Sequence, residues 1–239
     1  MTLAAERPKA APIEYPDSDG QPMAENTRQY EWIVTIKEGL GDLFRDDPDV
    51  FVAGDLLWYP VEGDNKTRVA PDVLVALGRP RGHRGSYKQW EEGGAAPQVV
   101  FEILSPGNSG GEMARKTVFY HKFGVREFYI LDPDSQELSG WELREGGFVE
   151  IAEMNGWTSP LIGIRFEFDK QADTWRILRP DGRRFLTFEE LARFADAETA
   201  RADAEKERAD EERRRADEER RRVDALLAQL RALGIEPEV

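Results

Sequence analysis

The 239 residues of the chain are enough for one sizeable domain with an appendage, or for two small domains. The chain has no cysteine, which excludes disulfides and thiolate metal sites and favours a reducing cytoplasm. Its formal net charge of −14 means that any contact with nucleic acid must depend on a local basic groove and metal ions, because the overall field repels phosphates.

The N-terminal part of the chain predicts a lead followed by a helix. Residues 1–16 are rich in Pro and Ala and lack the apolar stretch of a signal peptide, so we expect a disordered lead. No run approaches the roughly 18 apolar residues of a membrane span. From Thr27 to Phe44, apolar residues recur at helical spacing, with Asn26 or Thr27 as the N-cap. Glu31 on this helix is either solvated or able to reach a site at a sheet edge.

Three short apolar runs each contain one carboxylate: residues 50–59 with Asp55, residues 69–77 with Asp72, and residues 97–105 with Glu102. Aliphatic and β-branched runs between turn residues are typical of core strands. Burying a carboxylate costs on the order of several kcal/mol unless a cation or a metal accompanies it. If the last two runs are neighbouring strands, their acids converge at one sheet edge and can hold Mg²⁺ or Mn²⁺. Asp55 is either a third acid of that site or a bulge residue in water.

The most basic local segment, residues 78–96, lies between the two key strands. Its cationic side chains are those of Arg79, Arg81, Arg84 and Lys88. With the interleaved aromatic residues they are suited to phosphate contact and to stacking on bases or sugars. The alternative is an ordinary solvated loop whose aromatic rings pack on the protein surface.

The remaining part of the first 187 residues predicts a helix and further strands. Residues 112–123 form a helix that Gly124 closes as C-cap, and the strand at 125–131 follows. Strand, helix and strand in this order favour a parallel crossover packed on the sheet. From Leu138 to Leu178 the pattern predicts four more strands.

A long charged helix is predicted from Thr187 onward, where Thr187 and Glu190 match a capping box. A seven-residue repeat places Ala on one side of its seam and Glu on the other, which makes a poor zipper. Pairs such as Glu211 with Arg215 can instead stabilise a solvent-exposed single helix. We expect a homodimer, associated through the apolar residues 226–233.

Phosphodiester hydrolysis needs a metal that lowers the pKa of a water and a second charge that stabilises the transition state. Asp72 and Glu102, with the backbone carbonyl of Ile103, can supply the metal-binding oxygens. A lysine is expected two residues beyond Glu102, on the same face of the strand, but that residue is Leu104. Lys116 on the following helix can present its ammonium to the same place, or it pairs with Glu112 one turn earlier.

These residues together resemble the Uma2 family, restriction-endonuclease-like proteins of the PD-(D/E)xK nuclease superfamily. The segments that carry the resemblance are Ala70–Asp72, Phe101–Pro106, Lys116 with Tyr120, and Gly124–Asp134. The resemblance implies a restriction-endonuclease-like α/β domain over residues 17–187, with a mixed central sheet flanked by helices. It also implies a metal held by Asp72 and Glu102, a lysine moved from the strand to Lys116, and an assisting acid at Asp55. Residues 188–239 are the added helix.

The sequence therefore favours a Mg²⁺- or Mn²⁺-dependent endonuclease that cleaves DNA. Asp72 and Glu102 would bind the metal, Lys116 would orient or polarise the water and phosphate, and Asp55 would assist. One alternative is a catalytically inactive module of the same fold that binds nucleic acid or a protein partner and is oligomerised by its C-terminal helix. Another is a scaffold that depends on this helix alone.

Overall fold

The computed structural model describes residues 13–233. Within these residues the helices are α1 (Thr27–Leu43), α2 (Gly110–Phe123) and α3 (Phe188–Ala232). The strands are β1 (Val50–Gly54), β2 (Trp58–Tyr59), β3 (Val73–Leu77), β4 (Tyr87–Lys88), β5 (Val99–Ile103), β6 (Glu127–Asp132), β7 (Glu137–Arg144), β8 (Gly147–Glu150), β9 (Arg165–Asp169) and β10 (Thr174–Leu178).

A six-stranded mixed sheet in the order β1-β3-β5-β6-β7-β8 forms the centre of the domain. Only the β5–β6 pair of this sheet is parallel, and α2 connects these two strands, as the strand-helix-strand pattern predicts. The other pairs are antiparallel, including β3 with β5. Small two-stranded sheets, β9 with β10 and β2 with β4, lie beside it. The predicted α/β class with a mixed central sheet is confirmed.

The two faces of the sheet are covered by different helices, because strand side chains alternate between the faces. On one face Ile33 and Ile36 of α1 belong to the same buried cluster as Val73 of β3. On the other face Tyr120 of α2 shares a second cluster with Leu74 of β3. Residues one step apart along β3 therefore contact different helices, and α2 covers the face that matters for the acids.

The cap residues explain where the two core helices begin and end. Asn26 accepts from the backbone N–H of Gln29 and starts α1, as predicted. Helix α2 starts two residues earlier than the apolar pattern indicates, because Ser109 is its N-cap. Gly124, at φ 102°, ends α2 in the left-handed conformation that glycine adopts without strain.

Two local predictions were wrong. The apolar run 50–59 is not one strand: Asp55 adopts φ 46°, and the chain leaves the sheet before β2. Part of the predicted disordered lead is packed, since Tyr15 accepts from the N–H of Gly63 and the carbonyl of Pro16 accepts from the Tyr59 hydroxyl. The aromatic ring of Tyr15 also lies 5.2 Å from that of Tyr59. Residues 1–12 of that lead lie outside the described part of the chain.

The chain divides into two compact units, one ending at Thr187 and the other beginning at Phe188. Helix α3 has no buried residue, and Glu211 lies 3.6 Å from Arg215, the one-turn pair that the sequence predicts. Such exposed pairs contribute only about 0.3–0.5 kcal/mol each. Association through residues 226–233 stays a prediction. No helix within residues 13–233 is long and apolar enough to cross a membrane.

Candidate active site

Asp72 and Glu102 lie on neighbouring strands at the same end of the central sheet. Val73 of β3 pairs with Phe101 of β5 in antiparallel register, so one further step places Asp72 opposite Glu102. Both acids continue the alternation of Leu74 and Val100, whose side chains face α2. The structure thus brings the two predicted carboxylates to one face of the sheet, at the same end of two neighbouring strands.

Glu102 is deeply buried, with 2% of its side chain exposed. One carboxylate oxygen accepts from the Lys116 ammonium at 2.7 Å, and the other accepts from the Tyr120 hydroxyl. Lys116 and Tyr120 are one turn apart on α2, so the helix presents both donors together. Lys116 therefore pairs with Glu102 across the fold, and its alternative partner one turn earlier, Glu112, is not its closest carboxylate.

Asp72 is fixed by the backbone of the neighbouring strand. Its Oδ2 accepts from the Ile103 N–H at 2.6 Å. Its own carbonyl accepts from the Asp55 N–H at 3.1 Å, which holds Asp55 at the same end of the sheet. The three acids predicted from separate apolar runs are thus neighbours, although the chain separates the first from the last by nearly fifty residues.

We call Asp55, Asp72 and Glu102 the acidic cluster. Burial raises the pKa of all three side chains. The pKa of Asp72 is well above its usual value, first because of burial and then because of the charge on Glu102. Burial also raises the pKa of Glu102, although Lys116 and Tyr120 act against it. Burial and the nearby Asp19 raise the pKa of Asp55. One ammonium does not neutralise three carboxylates.

Lys116 is held in its charged form by this excess of negative charge. Burial acts to lower its pKa, but the carboxylates of Glu102 and Asp72 outweigh burial, so the pKa is raised. Lys116 also acts electrostatically on Asp55. In this state the ammonium is a stable positive charge at neutral pH and is suited to stabilising an anion rather than to accepting a proton.

Replacing Tyr120 with Phe should destabilise the fold without removing a charge. The hydroxyl keeps its proton, since burial and the charge on Glu102 raise the pKa of Tyr120 well above its usual value. Its loss leaves one buried carboxylate oxygen of Glu102 without its donor, which costs about 1–3 kcal/mol. We expect urea unfolding to show this loss for Tyr120→Phe. A change below about 0.5 kcal/mol would show that water replaces the hydroxyl.

Three supporting residues of the site were missed in the sequence: Gln29, Ser105 and Glu25. The buried side chain of Gln29 on α1 donates from Nε2 to the Ile103 carbonyl at 2.9 Å. The Ser105 hydroxyl donates to the carboxylate of Glu25, just before α1. The start of α1 thus holds the end of β5 and the loop that leads to α2. An amide at a position of α1 that continues its apolar stripe is the signal that could have identified Gln29.

Comparison of the chain with known protein families identifies the family to which it belongs. Residues 9–168, more than half of the chain, match the Uma2 family, which is described as "putative restriction endonuclease". The chain belongs to the Uma2 family. It is also similar to a crystal structure described as "a putative nuclease belonging to DUF820" from Anabaena variabilis, with a TM-score of 0.43 and 16% identity over 57% of this chain and 73% of that chain. No curated protein matches the chain.

The Uma2 domain offers a donor set that fits a hard divalent cation. Asp72 and Glu102 supply carboxylate oxygens, Ile103 supplies a carbonyl, and the excess negative charge of the acidic cluster is what a doubly charged ion would offset. Within residues 13–233, no three Asp, Glu or His side chains group closely enough to hold a metal by themselves. A set of two carboxylates and one carbonyl matches Mg²⁺, which usually takes one or two carboxylates and keeps several waters.

One predicted assisting residue of the Uma2 site was misplaced. Glu31 is exposed on α1, which covers the opposite face of the sheet from the side chains of Asp72 and Glu102. The helical period explains this, because the buried positions of α1 include Gln29 and Ile33, and Glu31 lies between them. Of the two interpretations of Glu31, the structure supports that of a solvated acid.

The predicted basic groove is also different from expectation, since its arginines bind the protein itself. Arg79 donates to the carbonyl of Glu92, and Arg81 donates to the carbonyls of Arg45 and Gly41. They follow the end of β3 remote from Asp72, and the five residues of that strand span about 17 Å. The remaining cations pair with acids, Arg84 with Glu92 and Lys88 with Glu91. Their composition alone could not distinguish phosphate from these internal partners.

Replacing Arg84 with Ala should therefore lower stability. Its guanidinium donates to both oxygens of Glu92, one bond measuring 3.0 Å, and lies 3.9 Å from the centre of the Phe51 ring. The two side chains are 13% and 12% exposed. Losing charged hydrogen bonds of this kind costs about 1.5–3 kcal/mol. Lys88→Ala, which breaks a more exposed pair, should cost below about 1 kcal/mol. Equal losses for both variants in urea unfolding would refute the structural role of Arg84.

Proposed function

We propose that this Uma2 family member is a Mg²⁺-dependent, or Mn²⁺-dependent, endonuclease that hydrolyses phosphodiester bonds of DNA. The observation that carries the proposal is the convergence of Asp72, Glu102 and Lys116 at the ends of β3 and β5. Strongly perturbed pKa values, produced by burial and by named charge partners, are typical of functional sites. The family description supplies the reaction class, and the cluster supplies the residues.

A purely structural explanation accounts poorly for the cluster. A structural ion pair would match one cation with one carboxylate, as Arg84 and Glu92 do elsewhere in the domain. Here Lys116 acts electrostatically on Glu102, Asp72 and Asp55, and the charges of Glu102 and Asp55 raise the pKa of Asp72 further. Such an arrangement reduces stability, and proteins retain such costs mainly where function requires them.

The residues have separable roles in the proposed reaction. Asp72, Glu102 and the Ile103 carbonyl would hold the cation, which supplies an activated water and neutralises charge on the phosphate. The Lys116 ammonium, at the place of the missing in-strand lysine, would stabilise the negative charge that develops on the scissile phosphate. Tyr120 fixes the orientation of Glu102 through its hydroxyl. Asp55 would assist by adding to the negative potential that attracts the cation.

The proposal is tested with the full-length protein and supercoiled plasmid DNA at low salt. We expect nicked or linear product with Mg²⁺ or Mn²⁺ and none with excess EDTA. Without a metal ion, no divalent positive charge at the acidic cluster lowers the pKa of the attacking water. A single-stranded substrate should be run in parallel. Cleavage that persists in EDTA would contradict the proposal.

The second candidate, an inactive module of the same fold, is separated by the same assay. It predicts no product from any DNA form with either cation, together with salt-sensitive binding. The contacts of Arg79, Arg81 and Arg84 favour neither candidate, since both must bind DNA and these side chains already have partners within the domain. A DNA surface would have to use other cations.

A further inference from the structure

Gln29 is a polar residue in the apolar stripe of α1, with only 6% of its surface exposed. Its Nε2 donates to the carbonyl of Ile103 at 2.9 Å, and its Oε1 accepts from the N–H of Glu25 at 2.8 Å. These partners fix the amide orientation, because an N–H can only donate and a carbonyl can only accept. Burying an amide is unfavourable unless both ends are bonded, and here both are.

Ile103 connects this amide to the acidic cluster. Its N–H donates to Asp72 at 2.6 Å, and its C=O accepts from Gln29. Ile103 is the last residue of β5, and its backbone N–H and C=O are both bonded to side chains rather than to a neighbouring strand's backbone. Rotating this part of the backbone would move the Asp72 carboxylate and the Ile103 carbonyl together.

The start of α1 also holds the chain just beyond Ile103. The Ser105 hydroxyl donates to Glu25, and the Ser105 N–H donates to Asn108 at 2.8 Å. The segment that leaves β5 toward Lys116 is therefore fixed at residues on both sides of Leu104. Gln29 is the member of this set that bonds the proposed metal-binding carbonyl directly.

We propose that Gln29 is a positioning residue of the metal site. Its amide holds the Ile103 carbonyl in the orientation that binds the cation, and through the same residue it keeps the N–H directed at Asp72. The inference rests on the proposed function and adds a residue to it. Residues that orient metal ligands in this way typically change metal affinity or activity by about 10–100-fold when they are replaced.

The test measures Mn²⁺ binding to the full-length protein by electron paramagnetic resonance of the free ion, without DNA. Gln29→Met keeps the length of the side chain and removes both hydrogen-bonding ends. We expect it to raise the dissociation constant for Mn²⁺ by about 10–100-fold. Gln29→Ala, which leaves room for water at the Ile103 carbonyl, tests the same point if Q29M does not fold.

Asn26→Ala is the matched control. Asn26 caps α1 through the backbone N–H of Gln29 and leaves the side-chain amide untouched. Loss of the cap should lower the thermal midpoint by about 2–4 °C. The affinity for Mn²⁺ should stay at the wild-type value, since the bond to the Ile103 carbonyl remains.

The outcomes separate this inference from the proposed function. Wild-type protein that binds no Mn²⁺, or binds it equally well after Asp72→Asn, would overturn both. If wild-type binding depends on Asp72 but Gln29→Met leaves the dissociation constant unchanged, the proposed function stands and the positioning role is refuted. An equal loss of affinity in N26A and Q29M would also refute it, because general loosening of α1 would then explain both.

Discussion

Replacing Lys116 with Met is expected to slow cleavage strongly and to cost about 3–5 kcal/mol of unfolding free energy near pH 8. Methionine keeps an unbranched, similarly sized side chain but removes the ammonium that lies 2.7 Å from Glu102. A carboxylate with 2% of its side chain exposed then has only the Tyr120 hydroxyl as partner. The rate of cleavage should fall by about 10²–10³-fold if, as we propose, this ammonium stabilises the charge on the phosphate.

The stability loss of K116M should depend on pH in a defined direction. The pKa of Glu102 is already raised in the wild-type fold, and removal of Lys116 removes an opposing influence. A buried acid with a raised pKa takes up a proton on folding, so the unfolding free energy falls as the pH rises through that pKa. The deficit of K116M should therefore be larger at pH 8 than at pH 5.5.

Urea unfolding at the two pH values measures this effect. The control is Arg115→Met, at the adjacent but exposed position of α2, for which a change within about 0.5 kcal/mol is expected. A deficit of K116M no larger than that of R115M, or one that grows toward acid, would show that Glu102 does not depend on this ammonium.

Replacing Asp72 with Asn is expected to abolish cleavage and to stabilise the fold. The amide oxygen can still accept from the Ile103 N–H, but the charge that opposes Glu102 is gone. Between the ordinary pKa of Asp and the raised pKa of Asp72, the folded state holds more protons than the unfolded state. Ionising Asp72 therefore reduces stability as the pH rises. Removing this penalty should add about 0.5–2 kcal/mol at pH 8.

Asp132→Asn provides a contrast of opposite sign. Burial acts to raise the pKa of Asp132, but the N–H groups of Asp134 and Ser135 outweigh it, so the pKa is lowered. This carboxylate stabilises the fold above its ordinary pKa, and its neutralisation should lower stability at pH 8. If thermal unfolding shows the same sign for D72N and D132N, the electrostatic account of Asp72 is wrong.

The sequence was sufficient to predict that Asp72 and Glu102 lie together, because local rules place both acids, and the family resemblance added Lys116 to them. An apolar run with one acid predicts a core strand, period-two alternation puts both acids on one face, and a helix after β5 must return over that face. Gln29 could not be assigned in this way. Its role depends on a bond to Ile103, 74 residues away, and nothing in the spacing of α1 specifies that partner.

The basic segment shows why composition alone was insufficient elsewhere. Arg84 looks the same in the sequence whether its guanidinium binds phosphate or the Glu92 carboxylate eight residues later. The predicted strand 50–59 failed for a similar reason. Its apolar character reflects burial of Trp58 against Tyr120 of α2 and of Tyr59 against Tyr15, whereas the turn at Asp55 depends on the bond to the Asp72 carbonyl.

The most direct test of the central claim is the single-turnover rate of plasmid cleavage by Asp72→Asn at saturating Mg²⁺. Because this variant is expected to be at least as stable as the wild-type protein, unfolding cannot account for lost activity. The account predicts a fall of at least about 10²-fold. A rate within about twofold of the wild-type rate, with intact Mg²⁺ dependence, would show that the acidic cluster is not the site of cleavage.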